Sequence, residues 1–457
     1  ISIIATTFAA DTPLAVTGIT AKNGIVGNWL WWSWAATYIT VAIFFAQRWR
    51  KSGVLTDVEF IEMRYDGKQA ALLRGFKAFF FGIILNCFIL AWVITAAVSI
   101  ASPFIQWATL TPAFYSLAEN FYPTFLLFKG DLNAAITILA LLLIVLTYSS
   151  LGGIRGVILT DLVQFFIAMV TSIIFAYYAV DALGGMDSIQ SELVNLYGAE
   201  QAEHYTEFLP SFDNPLLPFQ IFLIYTLIQW WVRFDSDGSG YIAQRINTAK
   251  TAKDAQKGSL LFAIAFIALR TWPWILIGLV SLVMFPVGNE TLNYLAEGEQ
   301  VMASREVAYP VIMKLILPVG LLGLTFTSLM AAFMSTVDTH LNWGASYLTN
   351  DIYRRFIKKD AGEKDLIKFS RWMVLMITLL AVLTSSQMDS IEGAWKFFIN
   401  AAAGLGIAQI MRWFWWRANA YTEISAMITA IVITIILTLL KTAASSEHYD
   451  TYGLVLI

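Results

Sequence analysis

The sequence predicts an all-α protein that crosses a membrane many times: two five-span repeats of opposite orientation, interrupted first and sixth spans, and additional helix at the C-terminal end. Three observations predict it. Apolar residues make up 58% of the 457 and charged residues only 13%, too apolar and too poor in charge for a water-soluble domain. Basic residues gather in alternate connections. Two polar interruptions lie five spans apart.

Apolar stretches run from Trp31 to Gln47, Phe79 to Ser99, Ala134 to Thr147, Phe165 to Leu183, Pro218 to Trp231, Phe262 to Phe285, Val319 to Phe333, Trp372 to Leu383, Phe397 to Ile410 and Ala426 to Leu440. With their flanks most reach the roughly 17–25 residues a helix needs to cross a bilayer. An apolar helix already under way at Ile1 precedes them and counts as span 1, which makes eleven. Neither a Met nor a basic flank stands before it, and TYGLVLI at the other end reads as the start of a further span, so the chain reads as a fragment.

Arg48, Arg50, Lys51, Arg64, Lys68, Arg74 and Lys77 fill the connection between spans 2 and 3. Arg155, then Arg245, Lys250, Lys253 and Lys257, then the run from Arg354 to Arg371, then Arg412 and Arg417 occupy every second connection after it. The positive-inside rule places these in the cytoplasm. The segment from Gly184 to Leu217 has no Lys or Arg and carries Asp187, Glu192, Glu200, Glu203, Glu207 and Asp213, so it faces outward. The expected organisation is a first repeat over 1–183, an extracellular loop over 184–217, a second repeat over 218–413 and an additional C-terminal span over 414–457.

Span 1 reads IATTFAADTPLAVTG, where Asp11, Pro13 and Gly18 interrupt an apolar helix. Proline lacks a donor and clashes with the preceding turn, so the backbone is expected to open near Ala9 to Thr12. Span 6 reads IQWWVRFDSDGSGYIAQR, with its own interruption from Asp235 to Gly240. Five is an odd number, so the second repeat enters from the opposite side, as in inverted-repeat transporters. Broken backbone at membrane depth is tolerated only where protein or a wet cavity satisfies it, which makes the two breaks the expected binding site.

Span 8 carries FMSTVDTHLN, with Ser335, Thr336, Asp338 and Thr339 in an otherwise apolar helix. Positions i, i+3 and i+4 share a face, so the Ala332 carbonyl and the Ser335 and Thr336 hydroxyls converge. A small hard cation takes such oxygens. The alternative is that each hydroxyl bonds back to the carbonyl four residues earlier. Asp338 favours the cation, because a carboxylate at mid-membrane costs about 2.5–3.5 kcal/mol and calls for a cation, a basic partner or a proton. Asp161 raises the same question near the cytoplasmic end of span 5, where Arg155 is a rival partner.

Other chemistry is poorly represented. Cys87 is the single cysteine and lies within a span, so no disulfide framework or Cys-based metal site is expected. His204, His340 and His448 lack metal-ligand spacing. No nucleophile and base arrangement or phosphate loop appears, so the chain is not expected to be an enzyme, and its expected partners are the lipid bilayer and a small solute rather than nucleic acid.

AAFMSTVDTHLNWGASYLTNDIYRRF, GGIRGVILTDLVQ and AQRINTAKTAKDAQKG, in spans 8, 5 and the end of 6, together resemble the signatures of the sodium:solute symporters, and the resemblance runs through nearly all of the chain. It implies a five-plus-five fold that rocks between outward-open and inward-open states, with Na+ as coupling ion. By position, the main sodium site falls on the carbonyls of Ala5, Phe8 and Ala332 and the hydroxyls of Ser335 and Thr336. A second cation or proton site known in some members falls on Asp161, Ser335, Asp338 and Thr339. Asp338 stands where those members have a hydroxyl. Where sugar-carrying members place polar side chains this chain has Trp31, Trp34, Val232 and Phe266, which departs from a galactose-like site.

Candidate solute-binding residues are Asp11 and Thr12 at the first break, Trp31 and Trp34 on span 2, Asn86 on span 3, and Gln229, Trp230, Arg233 and Asp235 around the second. Tryptophan faces stack on a sugar ring or hold a cation. Arg233 forks onto a carboxylate, unless Asp11 or Asp235 neutralises it. These point to different solutes: a sugar, a sugar acid, an amino acid or an organic acid. Trp29 fits an interfacial aromatic belt, and Arg270 in LRTWPW fits either a solute ligand or a buried ion pair. The function expected is sodium-coupled import by alternating access. A proton-coupled carrier of the same fold and a solute-sensing domain of a signalling protein stand as alternatives.

Overall fold

The computed structural model describes residues 2–123, 127–287, 301, 304–388 and 390–444, with side chains described there except at 2, 148–160, 397, 400–401, 437–438 and 440–444. Arg155 and the TYGLVLI segment therefore lie outside the described side chains. Among described residues the ordered structure is helical, apart from one bridge between Phe128 and Asp131.

Six described helices are long and apolar enough to cross a membrane: Ile25–Ser52 (span 2), Gly67–Ala101 (span 3), Asp161–Ala182 (span 5), Ala252–Met284 (span 7), Val319–Ile357 (span 8) and Glu363–Ser385 (span 9). Shorter apolar helices cover Leu132–Thr147 (span 4), Phe219–Val232 (the first half of span 6) and Ala420–Ile436 (span 11). Helical backbone is continuous over Leu132–Ala182, so the connection expected between spans 4 and 5 is itself helical. On span 9, Leu375, Leu379 and Leu383 are exposed at helical spacing and form an apolar outer stripe. Such a stripe suits contact with lipid.

Span 1 is split into Ser2–Thr7 and Asp11–Asn23. The break covers Phe8 to Ala10, about a residue earlier than the sequence suggests, because Pro13 lies in the first turn of the outer half, where a missing amide costs no helical bond. Phe8 fills the gap edge-on to Phe165 and Trp274, with ring centroids 6.1 and 5.0 Å away. Span 6 breaks between Phe219–Val232 and Tyr241–Asn247, where Gly238 and Gly240 have φ of 81° and 73°.

Span 10 also breaks, into Ile391–Ala401 and Leu405–Phe414, at Gly404 in the left-handed conformation. The sequence reads there as a single apolar span from Phe397 to Ile410. Gly406 explains the close packing that follows: a Cβ would sit 2.2 Å from the Arg233 carbonyl and 2.4 Å from that of Trp231. The span 6 break is thereby held against span 10.

Buried ionic pairs fix that end of the molecule. The Arg412 Nη2 donates to Asp237 Oδ2 at 2.6 Å and to the Ser239 hydroxyl at 2.8 Å, and the Trp413 indole reaches the same carboxylate oxygen at 2.8 Å. Glu423 of span 11 bonds Lys77 of span 3 and Tyr65. At the opposite end, the indole of Trp29 donates to the Phe208 carbonyl at 2.8 Å, tying span 2 to the acidic loop. In that loop Glu207 is held below the usual carboxylate range by hydrogen bonds from Asn214 and Ser211, which outweigh its partial desolvation.

Candidate functional site

Span 8 lies along span 5 and touches the inner half of span 1, which brings three sets of oxygens together. The Thr336 hydroxyl is within 3.1 Å of the Thr6 carbonyl and 3.1 Å of its own Ala332 carbonyl. The back-bond expected as the alternative to a cation is thus present, and beside it stands a contact to the broken span 1. Ser335 donates to Asp161 Oδ1 at 2.5 Å. Thr6 and Thr339 hydroxyls are 3.3 Å apart, and the Arg245 Nη2 donates to Thr339 at 2.6 Å. Asp338 Oδ1 accepts from Asn342 one turn along, at 2.9 Å.

The carbonyl that meets Thr336 belongs to Thr6, which the sequence did not single out. The Ala5 carbonyl accepts from the Phe8 amide at 3.0 Å. Among the described residues no group of three or more His, Cys, Asp or Glu side chains is placed to hold a metal. The cluster between spans 1 and 8 is built of carbonyls and hydroxyls instead, a donor set that fits a hard monovalent or divalent cation and not a transition metal.

Thr6 and Thr336 also line a cavity of about 110 Å³. Its wall takes Asp11 and Thr12 from span 1, Trp31, Trp34 and Tyr38 from span 2, Trp92 from span 3, Arg233 and Tyr241 from span 6, Phe266 and Arg270 from span 7, His340 from span 8, and Trp395 and Phe398 from span 10. Five of the sequence candidates are brought together here: Asp11, Thr12, Trp31, Trp34 and Arg233. Four are not in the lining. Asn86 turns to His340, Gln229 accepts from Ser33 at 3.1 Å, the Trp230 carbonyl accepts from Thr37 at 2.6 Å, and Asp235 is engaged by Arg233.

Arg233 donates to both Asp235 oxygens at 2.8 Å, with its guanidinium carbon 3.9 Å from the centre of the Trp34 ring. Its charge is therefore neutralised inside the protein. Arg270 donates to the Thr7 carbonyl at 2.5 Å and lies 4.1 Å over Phe266. Asp11 Oδ2 accepts from the Trp395 indole at 3.2 Å. Three buried polar atoms here have no hydrogen-bond partner among the described residues: Asp11 Oδ1, Trp34 Nε1 and Arg270 Nε. Since an unmet buried donor or acceptor costs about 1–3 kcal/mol, this is a wall suited to a ligand that offers both donors and acceptors.

Tyr38, Trp92, Tyr241, Trp395 and Phe398 carried no distinguishing signal, because the chain is 15% aromatic throughout. His340 enters the sequence reading only as a metal-ligand candidate without ligand spacing.

The model of the sodium:solute symporter family matches residues 1–430. The chain belongs to this family. It is a multi-pass cell-membrane carrier and not an enzyme; it moves a small organic solute together with Na+ by alternating access. The symporter is 25% identical over 452 residues to the sodium/glucose cotransporter of Vibrio parahaemolyticus, covering 95% of this chain and 76% of that one. It is 27% identical over 310 residues to the sodium/myo-inositol cotransporter 2 of Oryctolagus cuniculus, covering 63% and 45%. The sodium/mannose cotransporter of Bos taurus is 23% identical over 449 residues, with 92% and 68% covered. The chain thus spans about half the length of the myo-inositol cotransporter. Among solved structures, a Na+-coupled sialic acid symporter in its substrate-bound outward-open state aligns with TM-score 0.63 at 17% identity, over 96% of this chain and 88% of that one. MhsT in complex with L-phenylalanine aligns at 0.53 and 16%, over 95% and 97%. These likenesses show the inverted-repeat fold.

Proposed function

We propose that Na+ binds between spans 1 and 8, on the carbonyls of Ala5, Phe8 and Ala332 and the hydroxyls of Ser335 and Thr336, with the Thr6 carbonyl alongside. The solute, on this reading, is a neutral polyhydroxy ring, a sugar or cyclitol, held in the aromatic cavity. The observation that carries the proposal is that Thr6 and Thr336 belong at once to the oxygen cluster and to the cavity wall. A cation that orders the span 1 break therefore shapes the solute site directly. The mixed wall supports a neutral solute: Asp11 Oδ1 accepts, Trp34 Nε1 and Arg270 Nε donate, and Arg233 is already paired. Relatives named for glucose, myo-inositol and mannose support the same class.

The second set, Asp161, Asp338 and Thr339, is read as an internal ionic group around Arg245, whose guanidinium already contacts Thr339. Charge brought in with Na+ is driven by the membrane potential, worth roughly 2.3 kcal/mol per charge per 100 mV. The test is intrinsic fluorescence of the purified chain, which has 17 tryptophans, titrated with NaCl against choline chloride, with and without glucose, mannose, myo-inositol, amino acids and organic acids. A sodium-specific change sharpened by a polyol is expected. A response to pH without one to sodium would transfer the coupling to the Asp161 and Asp338 group, and sharpening by an amino acid or organic acid alone would remove the polyol.

A further inference from the structure

We infer that His340 is a specificity-determining residue of the solute site: a hydrogen-bond acceptor, held in one tautomer by Asn86, that selects a solute carrying a hydroxyl or other donor at that point. The inference rests on the cavity being the solute site, and it concerns a residue one helical turn beyond Thr336 on the same face of span 8.

The tautomer follows from the hydrogen bonds. The Asn86 amide nitrogen donates to the His340 carbonyl at 2.8 Å and faces the Gly82 carbonyl at 3.4 Å. Both partners are acceptors, so the amide cannot be turned round. Its oxygen then meets His340 Nδ1 at 2.8 Å, and an oxygen that only accepts requires a proton on Nδ1. A charged imidazole at this depth is disfavoured, so Nε2 is left as a bare acceptor. His340 lines the cavity, and among the described residues its ring makes no other hydrogen bond within the protein.

Local packing enforces the arrangement. Span 8 approaches span 3 at Gly344, where a Cβ would lie 2.4 Å from the Asn86 amide nitrogen and 2.6 Å from the Gly82 carbonyl. Tyr241 and Trp343 flank the ring, with centroids 5.4 and 5.6 Å away. The side chain is therefore oriented before any solute arrives, as a selective site needs. A site built to bond a hydroxyl rejects the analogue lacking it strongly, because its own polar atom is left unmet. A solute donating to Nε2 also sits one turn from the hydroxyl proposed to hold sodium.

The experiment uses the full chain in lipid nanodiscs. Whichever solute responds in the sodium-dependent fluorescence screen of glucose, mannose, myo-inositol, amino acids and organic acids is compared with analogues each lacking one donor. One analogue is expected to bind at least about tenfold more weakly than its parent to the wild type. His340→Phe is expected to bind parent and that analogue alike, both at the weaker level, while the half-saturating sodium concentration without solute stays within about twofold of wild type. If the variant discriminates among analogues as the wild type does, the inference is overturned. Response to an amino acid alone removes the polyol reading and leaves His340 to be tested by des-amino analogues in the same cycle. The tautomer is measured without any solute, by 15N NMR of histidine-labelled protein, with His340→Phe assigning the signal among three histidines. Protonated Nδ1 and unprotonated Nε2 are expected, with that pattern lost in Asn86→Leu; an unprotonated Nδ1 overturns the inference.

Discussion

Replacing Thr336 with valine keeps the β-branched shape and removes one hydroxyl, the one that meets the Thr6 carbonyl across the span 1 break at 3.1 Å. Without sodium the loss is a neutral hydrogen bond, about 0.5–1.5 kcal/mol. With sodium bound the same oxygen serves a charged partner, and the loss is about 1.5–3 kcal/mol. The difference, about 1–1.5 kcal/mol, corresponds to sodium affinity about 5- to 13-fold weaker. Stability without sodium changes by no more than the neutral bond. The assay is the NaCl titration of tryptophan fluorescence, with choline chloride as control and a thermal melt of the sodium-free protein beside it. An unchanged half-saturating sodium concentration, in a variant that melts like the wild type, would refute the assignment of Thr336 to the cation. Adding Ser335→Ala is expected to remove the saturable response.

Three further outcomes are expected. Gly406→Ala places a methyl 2.2 Å from the Arg233 carbonyl, so spans 6 and 10 must separate; solute-dependent fluorescence is expected to vanish in protein that still elutes as a single species. Arg412→Met leaves Asp237 buried without its ionic partner, which costs about 3–5 kcal/mol and is read as a lowered melting temperature in detergent. Glu62 lies in the connection between spans 2 and 3, where hydrogen bonds from Arg355 and then Arg74 hold its carboxylate below the usual carboxylate range. A depressed carboxylate contributes stability above its unfolded value and loses it as pH falls through the folded one. Glu62→Gln is therefore expected to flatten the decline of melting temperature below about pH 4.5, and an identical acid limb in variant and wild type would exclude this group.

What was legible in the sequence follows from how strongly each feature conflicts with its surroundings. DSDGSG in an apolar span signals a break or a glycine kink, and the structure opens from Arg233 to Gly240. Pro13 signalled a break but not its side, since proline is accommodated in the first turn of the helix that follows it. The break at Gly404 has neither proline nor a polar cluster, only the two glycines of AAAGLG, which do not by themselves mark a break. Asn86 stands among the solute-ligand candidates of span 3, but its partners are the backbone and ring of His340, which no local pattern reveals. The pairing of Arg233 with Asp235 was one of the alternatives in view, because two residues of opposite charge two positions apart across a break can meet without help from the rest of the fold.

Sodium at the meeting of spans 1 and 8 and solute in the adjoining cavity are proposed to favour one another. Coupling of binding free energies is reciprocal. The direct measurement is a pair of titrations on one preparation: solute affinity at zero and saturating sodium, and sodium affinity at zero and saturating solute. The same factor is expected in both directions, about 5- to 150-fold, lowered together by Thr336→Val. Solute binding indifferent to sodium, with choline chloride giving the same curve, would contradict it.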